Sequence, residues 1–290
     1  MSELLSIKDF KNTEDAVLTD DDISKGFENT VINLKEKVER PPILLSIGFD
    51  DKSYKGVHYP LKFASLGNFS VIKGQQKTRK SFMKSLLESC LLGGKSFKFC
   101  DYLEIKPHGL GNKWVISIDN EQARYDVWMN GIRIPEMVGH HPENYKILMW
   151  REKSRAERRL YLDWLFMKSP YKDNLGMVVL DGYVDFITDP NDQAECNIFI
   201  DLIMKYSSMT NCHIMGMLHT NPNSDKMRGH LGTIAAQRAE TVMNIESKGE
   251  YSLASCSDIR GSKPFEEFTI RIDEDWLPYV SIESQENHIL

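Results

Sequence analysis

Short apolar runs set between longer amphipathic stretches restrict the fold of this chain more than any other feature. The runs fall at residues 69–72, 114–118, 145–149, 177–180, 213–218, 241–245 and 268–272. Helical periodicity is expected over 80–92, 122–129, 156–166 and 194–206. Strands that alternate with helices build βαβ units, and these close into a mainly parallel sheet flanked by helices. The last third reads differently. Segments 241–245, 251–255 and 268–272 are strands with little chain between them for helices. They predict an antiparallel extension of the sheet. Residues 1–42 are polar and charge-rich, with a helix expected near 23–39, capped by the carboxylates of Asp20-Asp21-Asp22 just before it and stopped by Pro41-Pro42. They read as an N-terminal arm, and 43–290 as one α/β domain.

Between the first strand and the first helix lies Gly74-Gln75-Gln76-Lys77-Thr78-Arg79-Lys80-Ser81-Phe82. The pattern G-x-x-x-x-G-K-[ST] is met at Gly74, Lys80 and Ser81, with Arg79 where the second glycine belongs. In that pattern backbone N–H groups at a helix N-terminus cradle phosphates, the lysine reaches the β/γ-phosphates and the hydroxyl ligates Mg²⁺. Residues 74–82 are therefore the candidate nucleotide loop. The other reading is a basic segment that happens to open a helix. The 114–118 strand runs into Asp119-Asn120-Glu121-Gln122, where Glu121 can act as general base on an attacking water or serve as a helix-start acid. Gly176-Met-Val-Val-Leu-Asp181-Gly182 is an apolar strand with a carboxylate at its edge. This is the Walker B arrangement, in which Asp181 would join Ser81 as a metal ligand. The 213–218 strand ends in His219-Thr220, and His219 can report a γ-phosphate or be structural.

Two basic segments follow. Lys226, Arg228 and His230 lie in a Gly-rich stretch that suits a mobile loop on a nucleic-acid backbone. Arg260 and Lys263 lie in a turn between strands and can supply charge to a neighbouring subunit's site, as an arginine finger does. Arg151, Arg155, Arg158 and Arg159 form a basic helical stripe, read foremost as a solvated face.

Taken in order, these motifs resemble the RecA-like ATPase family, in particular the hexameric replicative helicases of the RepA and DnaB type. The resemblance covers about residues 43–275. It rests on Gly74, Lys80, Ser81, Glu121, Asp181 and His219, with the Arg228 segment and the Arg260/Lys263 turn. It implies a RecA-like P-loop core, ATP and Mg²⁺, a ring of six subunits with ATP at their boundaries, and single-stranded DNA in the channel. A non-catalytic ring with a degenerate nucleotide site and a small-molecule P-loop kinase are the alternative readings. The formal charge of −6, from 36 basic and 42 acidic residues, argues against a surface that is basic all over. Five scattered cysteines, no apolar leader and no long apolar run predict a cytoplasmic chain with free thiols.

Overall fold

In the computed structural model the described residues are 19–54, 57–94, 105–221 and 227–281. The chain divides into a short unit, Met1–Arg40, and a body, Pro41–Leu290. In the first unit, helix α1 spans Asp20–Asn29. It begins earlier and ends ten residues sooner than the 23–39 expectation. Thr19, not the aspartates, is the cap. Its hydroxyl accepts from the Asp22 N–H at 3.2 Å, and the Asp22 carboxylate accepts from the Thr19 N–H at 3.1 Å. The β-branched run Thr30-Val31-Ile32 does not continue the helix.

The body holds two sheets. The smaller is antiparallel, in the order β2 (Val57–Ser65), β1 (Ile43–Tyr54), β4 (Ile105–Pro107). No strand was expected before residue 69, because Pro60 inside β2 weakens the local strand pattern. The larger sheet has nine strands. They are β3 (Phe69–Gly74), β5 (Trp114–Asp119), β6 (Tyr145–Met149), β7 (Leu175–Asp181), β8 (His213–His219), β9 (Thr241–Lys248), β10 (Tyr251–Ile259), β11 (Phe268–Ile272) and β12 (Pro278–Ser281). Their order is β12-β11-β10-β9-β3-β8-β7-β5-β6. Neighbours from β9 to β6 pair in parallel, and β9 to β12 pair antiparallel. The fold is therefore α/β, with a large, mostly parallel mixed sheet flanked by helices.

The flanking helices are α2 (Lys80–Gly93), α3 (Arg124–Val138), α4 (Arg155–Met167), α5 (Gln193–Thr210) and α6 (Gly229–Arg238). Two cores explain the unbroken apolar strands. Ile72, Met177, Val179 and Met215 face a core shared with α2 and the small sheet. Val71, Val178, Leu180 and Ile214 face a second core with α4, α5 and α6. A strand buried on both faces needs apolar residues at every position, not at every second one.

Three expectations need correction. Helix α3 runs through Pro135 to Val138 and does not stop at residue 129, because Pro135 falls in its last turn and Gly139 caps it. The Gly-rich segment read as a mobile loop is helix α6 from Gly229 onward, since Leu231, Ile234 and Ala235 bury one face at helical spacing. The arginine stripe is a solvated face only in part: Arg151 and Arg155 are exposed, while Arg158 is buried and Arg159 half-buried. Among the described cysteines, Cys90, Cys196 and Cys212 are buried, Cys256 is half-buried, and all are free. No described helix is long and apolar enough to cross a membrane.

Candidate functional site

The parallel strands end at one edge, and their register aligns the residues there. Gly74 stands beside His219, and Asp119 stands beside Asp181. Strand β8 lies between β3 and β7. An imidazole at its tip therefore sits between the β3 loop and the β7 carboxylate.

The loop after β3 is rigidly built. Lys77 and Arg79 adopt positive φ angles of 63° and 66°. The buried Thr78 hydroxyl donates to the Gln75 carbonyl at 2.9 Å, and Ser252 Oγ donates to the Thr78 carbonyl at 3.1 Å. A side chain at Gly74 would strike the β9 carbonyl of Ile245, so the loop can leave β3 here only with glycine. Arg79 takes the left-handed conformation that a glycine would take more cheaply. Its guanidinium turns to the β9–β10 hairpin, donating to the carbonyls of Tyr251 at 3.0 Å and Gly249 at 2.6 Å. It is also the cap residue of α2 and makes no side-chain capping bond, so the first-turn N–H groups of α2 have no side-chain cap. Gln75 and Gln76 line a cleft of about 610 Å³ with Gly182, His219, Thr220 and Arg228.

Lys80 is buried, and its ammonium donates to the carbonyls of Gly74 at 3.0 Å and Gln75 at 2.6 Å and to His219 Nδ1 at 3.1 Å. Burial draws its pKa down to about 8, against the opposing pull of Asp181 and Glu121. Because His219 Nδ1 accepts, the ring proton belongs on Nε2, which faces Glu121 Oε1 at 3.8 Å. Interaction with His219 holds the Glu121 carboxyl below the ordinary glutamate range; burial opposes this, and Lys80 and Arg158 add to it. Asp119, fully buried, accepts the N–H groups of Glu121 at 3.0 Å and Gln122 at 2.8 Å, which fixes the turn carrying Glu121.

Asp181 closes the site from β7, where its Oδ2 takes a 2.9 Å ion pair from Lys84. Burial disfavours the Lys84 charge, but Asp181, Glu88 and Asp119 outweigh it and hold its pKa above the ordinary value. Glu88, also buried, is pushed up to about 7 by desolvation, opposed chiefly by Lys84. Gly182, at φ 96°, lets the chain turn sharply after Asp181, and a side chain there would meet the Asp185 carboxylate. Burial pushes Asp185 up to about 6, with Glu121 adding and Arg158 opposing.

The structure gathers Gly74 to Ser81, Glu121, Asp181, His219 and Arg228 at this edge. Phe82 lies instead under the Arg133 guanidinium, 3.8 Å from its ring centroid, and faces α3. Ser81 Oγ lies 3.4 Å from Gln122 Nε2. His230 is exposed on α6 and, with Arg228 and Lys73, lines a neighbouring groove. Lys226 lies outside the described residues. Arg260 caps α6, donating to the carbonyls of Gln237 at 3.3 Å and Arg238 at 3.0 Å; a finger role would require it to leave them. Lys263 occupies the same turn between β10 and β11.

Lys84, Glu88 and Asp185 escaped the sequence reading, and Asp119 and Arg158 were named in it without a role at the site. Lys80, Lys84 and Glu88 recur at i, i+4 and i+8 on one stripe of the helix, and that spacing was the available signal. Arg158 donates to the carbonyls of Trp150 at 3.1 Å, Asn120 at 3.2 Å and Asp185 at 3.3 Å, tying together the turns after β5, β6 and β7.

Among the described residues no three His, Cys, Asp or Glu side chains converge to hold a metal. One carboxylate, Asp181, and one hydroxyl, Ser81, remain as donors. That set fits Mg²⁺, which keeps several waters and shares substrate phosphates, better than an ion needing a full protein cage. Compared with known proteins, the chain matches no family model and no curated protein.

Proposed function

We propose that this chain is a P-loop ATPase of RecA-like architecture. The carrying observation is the meeting of Lys80, His219, Glu121 and Asp181 at one sheet edge, beside the uncapped N-terminus of α2 and at the mouth of the cleft. The Lys80 ammonium is desolvated, yet its hydrogen-bond acceptors are two carbonyls and an imidazole. A phosphate would compensate that charge far better. Mg²⁺, when bound, would neutralise phosphate charge from Ser81 and Asp181. Lys80 binds phosphate, Glu121 orients and deprotonates water, and His219 links the two through its ring nitrogens. Asp119 and Arg158 hold the Glu121 turn in place.

Arg79 in place of glycine is the main argument for a degenerate site. It loses force because the loop keeps the left-handed turn and the side chain is tied to β9–β10. The wider reading is a DNA-dependent ATPase or helicase core, working as a hexameric ring on single-stranded DNA. The exposed Arg228 and His230 support it, with Lys226 of the same segment, and Arg260 and Lys263 remain its candidate trans-acting residues. In this reading DNA is held by charge without base readout.

The test is ATP turnover with and without single-stranded DNA, beside equilibrium ATP binding. Wild type should hydrolyse ATP and respond to DNA in a salt-dependent way. Glu121→Gln should keep ATP affinity and lose most turnover. Equal loss of both would assign Glu121 a structural role, and an absence of ATP binding by wild type would overturn the reading.

A further inference from the structure

We propose that Lys84 is a built-in cation that holds one oxygen of Asp181, so that a divalent ion arriving with the nucleotide can use only the other. The inference rests on the ATPase reading above and makes Lys84 a positioning residue that sets metal preference.

The geometry is specific. Lys84 lies one helical turn beyond Lys80 on α2 and is fully buried. Its Nζ stands 2.9 Å from Asp181 Oδ2. Glu88 from the next turn of α2 and Asp119 from β5 also favour its charge, although Asp181 from β7 alone pairs with it. Glu88 Oε1 and Asp119 Oδ2 are buried and have no hydrogen-bond partner. The ammonium therefore has no surplus of charge to lose, and every direction away from Asp181 leads into protein. An enclosed lysine cannot exchange its carboxylate for water, so Oδ2 stays committed. Asp181 itself is only slightly exposed, with 13% of its side chain accessible.

The consequence concerns coordination. Asp181 can offer one oxygen, directly or through water, and cannot chelate with both. Mg²⁺ and Mn²⁺ accept single oxygens and retained waters. Ca²⁺ takes more ligands and commonly uses both oxygens of a carboxylate. Lys84 thereby biases the site toward the smaller ions. A methionine here would leave Asp181 free to chelate and would enlarge the net negative charge facing the metal.

The experiment compares ATP binding in chelator, in Mg²⁺ and in Ca²⁺ by calorimetry, for wild type, Lys84→Arg and Lys84→Met. Since Lys84→Met leaves buried carboxylates without a counter-charge, it is also made together with Glu88→Gln, and each variant is first checked for a cooperative melt. In the folded methionine variant the Ca²⁺ affinity of the nucleotide complex should rise about tenfold, with a smaller change for Mg²⁺. Lys84→Arg should keep the wild-type preference, and adding Asp181→Asn to the methionine variant should cancel the gain. A lysine that merely supports the fold would lower the melting midpoint and leave the Mg²⁺/Ca²⁺ ratio unmoved. ATP binding with an unchanged ratio in a folded methionine variant overturns the role of Lys84 alone. No ATP binding by wild type under any metal condition overturns the ATPase reading and this inference with it.

Discussion

The two ends of strand β3 are built on opposite principles. At its start, Ser70 Oγ meets His213 Nε2 at 2.8 Å, and His213 Nδ1 meets the Ser65 carbonyl at 2.9 Å. The Glu240 carboxylate accepts the Ser65 N–H at 3.0 Å and its hydroxyl at 2.7 Å, and it pairs with Lys62 at 2.6 Å. Burial holds His213 below the ordinary histidine range, and each ring nitrogen has a partner. At the far end, Asp119 Oδ2, Asn120 Oδ1 and Asp185 Oδ2 are buried without partners. Fully paired buried polar groups secure a structure, while unpaired ones mark a place where charge is held ready for something else. One strand thus carries a latch at its start and the candidate site at its end.

Substitutions at the two ends should separate these roles. The largest effect is expected at the candidate site. Lys80→Ala should cut ATP turnover by about 10²–10³-fold or more. Its melting midpoint should hold, because a desolvated ammonium costs stability where it lies. A turnover close to wild type would erase the contrast. At the latch, Glu240→Ala should lower stability by about 3 kcal/mol by denaturant melts, since it orphans Ser65 and Lys62 together. Turnover per folded molecule should not change.

A third substitution sharpens the comparison through pH. Glu88 titrates near 7 in the folded chain, against an ordinary value of 4.5. Between those values the folded state holds a proton that the unfolded state has released. Stability therefore falls as pH rises through this window, and the full penalty stands above about pH 7. Glu88→Gln should raise stability at pH 8 by about 2 kcal/mol, and the gain should vanish by about pH 4.5. A gain independent of pH would mean that Glu88 is not the strained group. The smallest effect is expected at Arg79→Gly. Relief of the left-handed backbone offsets part of the lost hydrogen bonds, leaving a net loss of about 1 kcal/mol. Nucleotide affinity should stay within about threefold, as the side chain points to the hairpin.

Much of the large sheet was legible because its signals are local. Segments 69–72, 177–180 and 213–218 lie within β3, β7 and β8, and 80–92 within α2, each announced by a run or a period a few residues long. The small sheet was not, since β4 pairs with β1 across about sixty residues of sequence and Pro60 obscures the hairpin between β1 and β2. Helix α6 was hidden by Gly229 and Gly232, and packing against α5 overrides their weak propensity.

By itself, the sequence determined the order of strand, loop and acid: Gly74 to Ser81, then Glu121, Asp181 and His219. Motif spacing is a property of the chain and needs no neighbours to be read. Only the tertiary structure decided which charges face one another. Lys84 and Asp181 are 97 residues apart, and Lys80 and His219 are 139 apart. Desolvation and Coulomb energy depend on distance in space, so the depressed lysine, the raised glutamate and the clasp of Arg158 exist only once the strands and helices of the large sheet have been brought together.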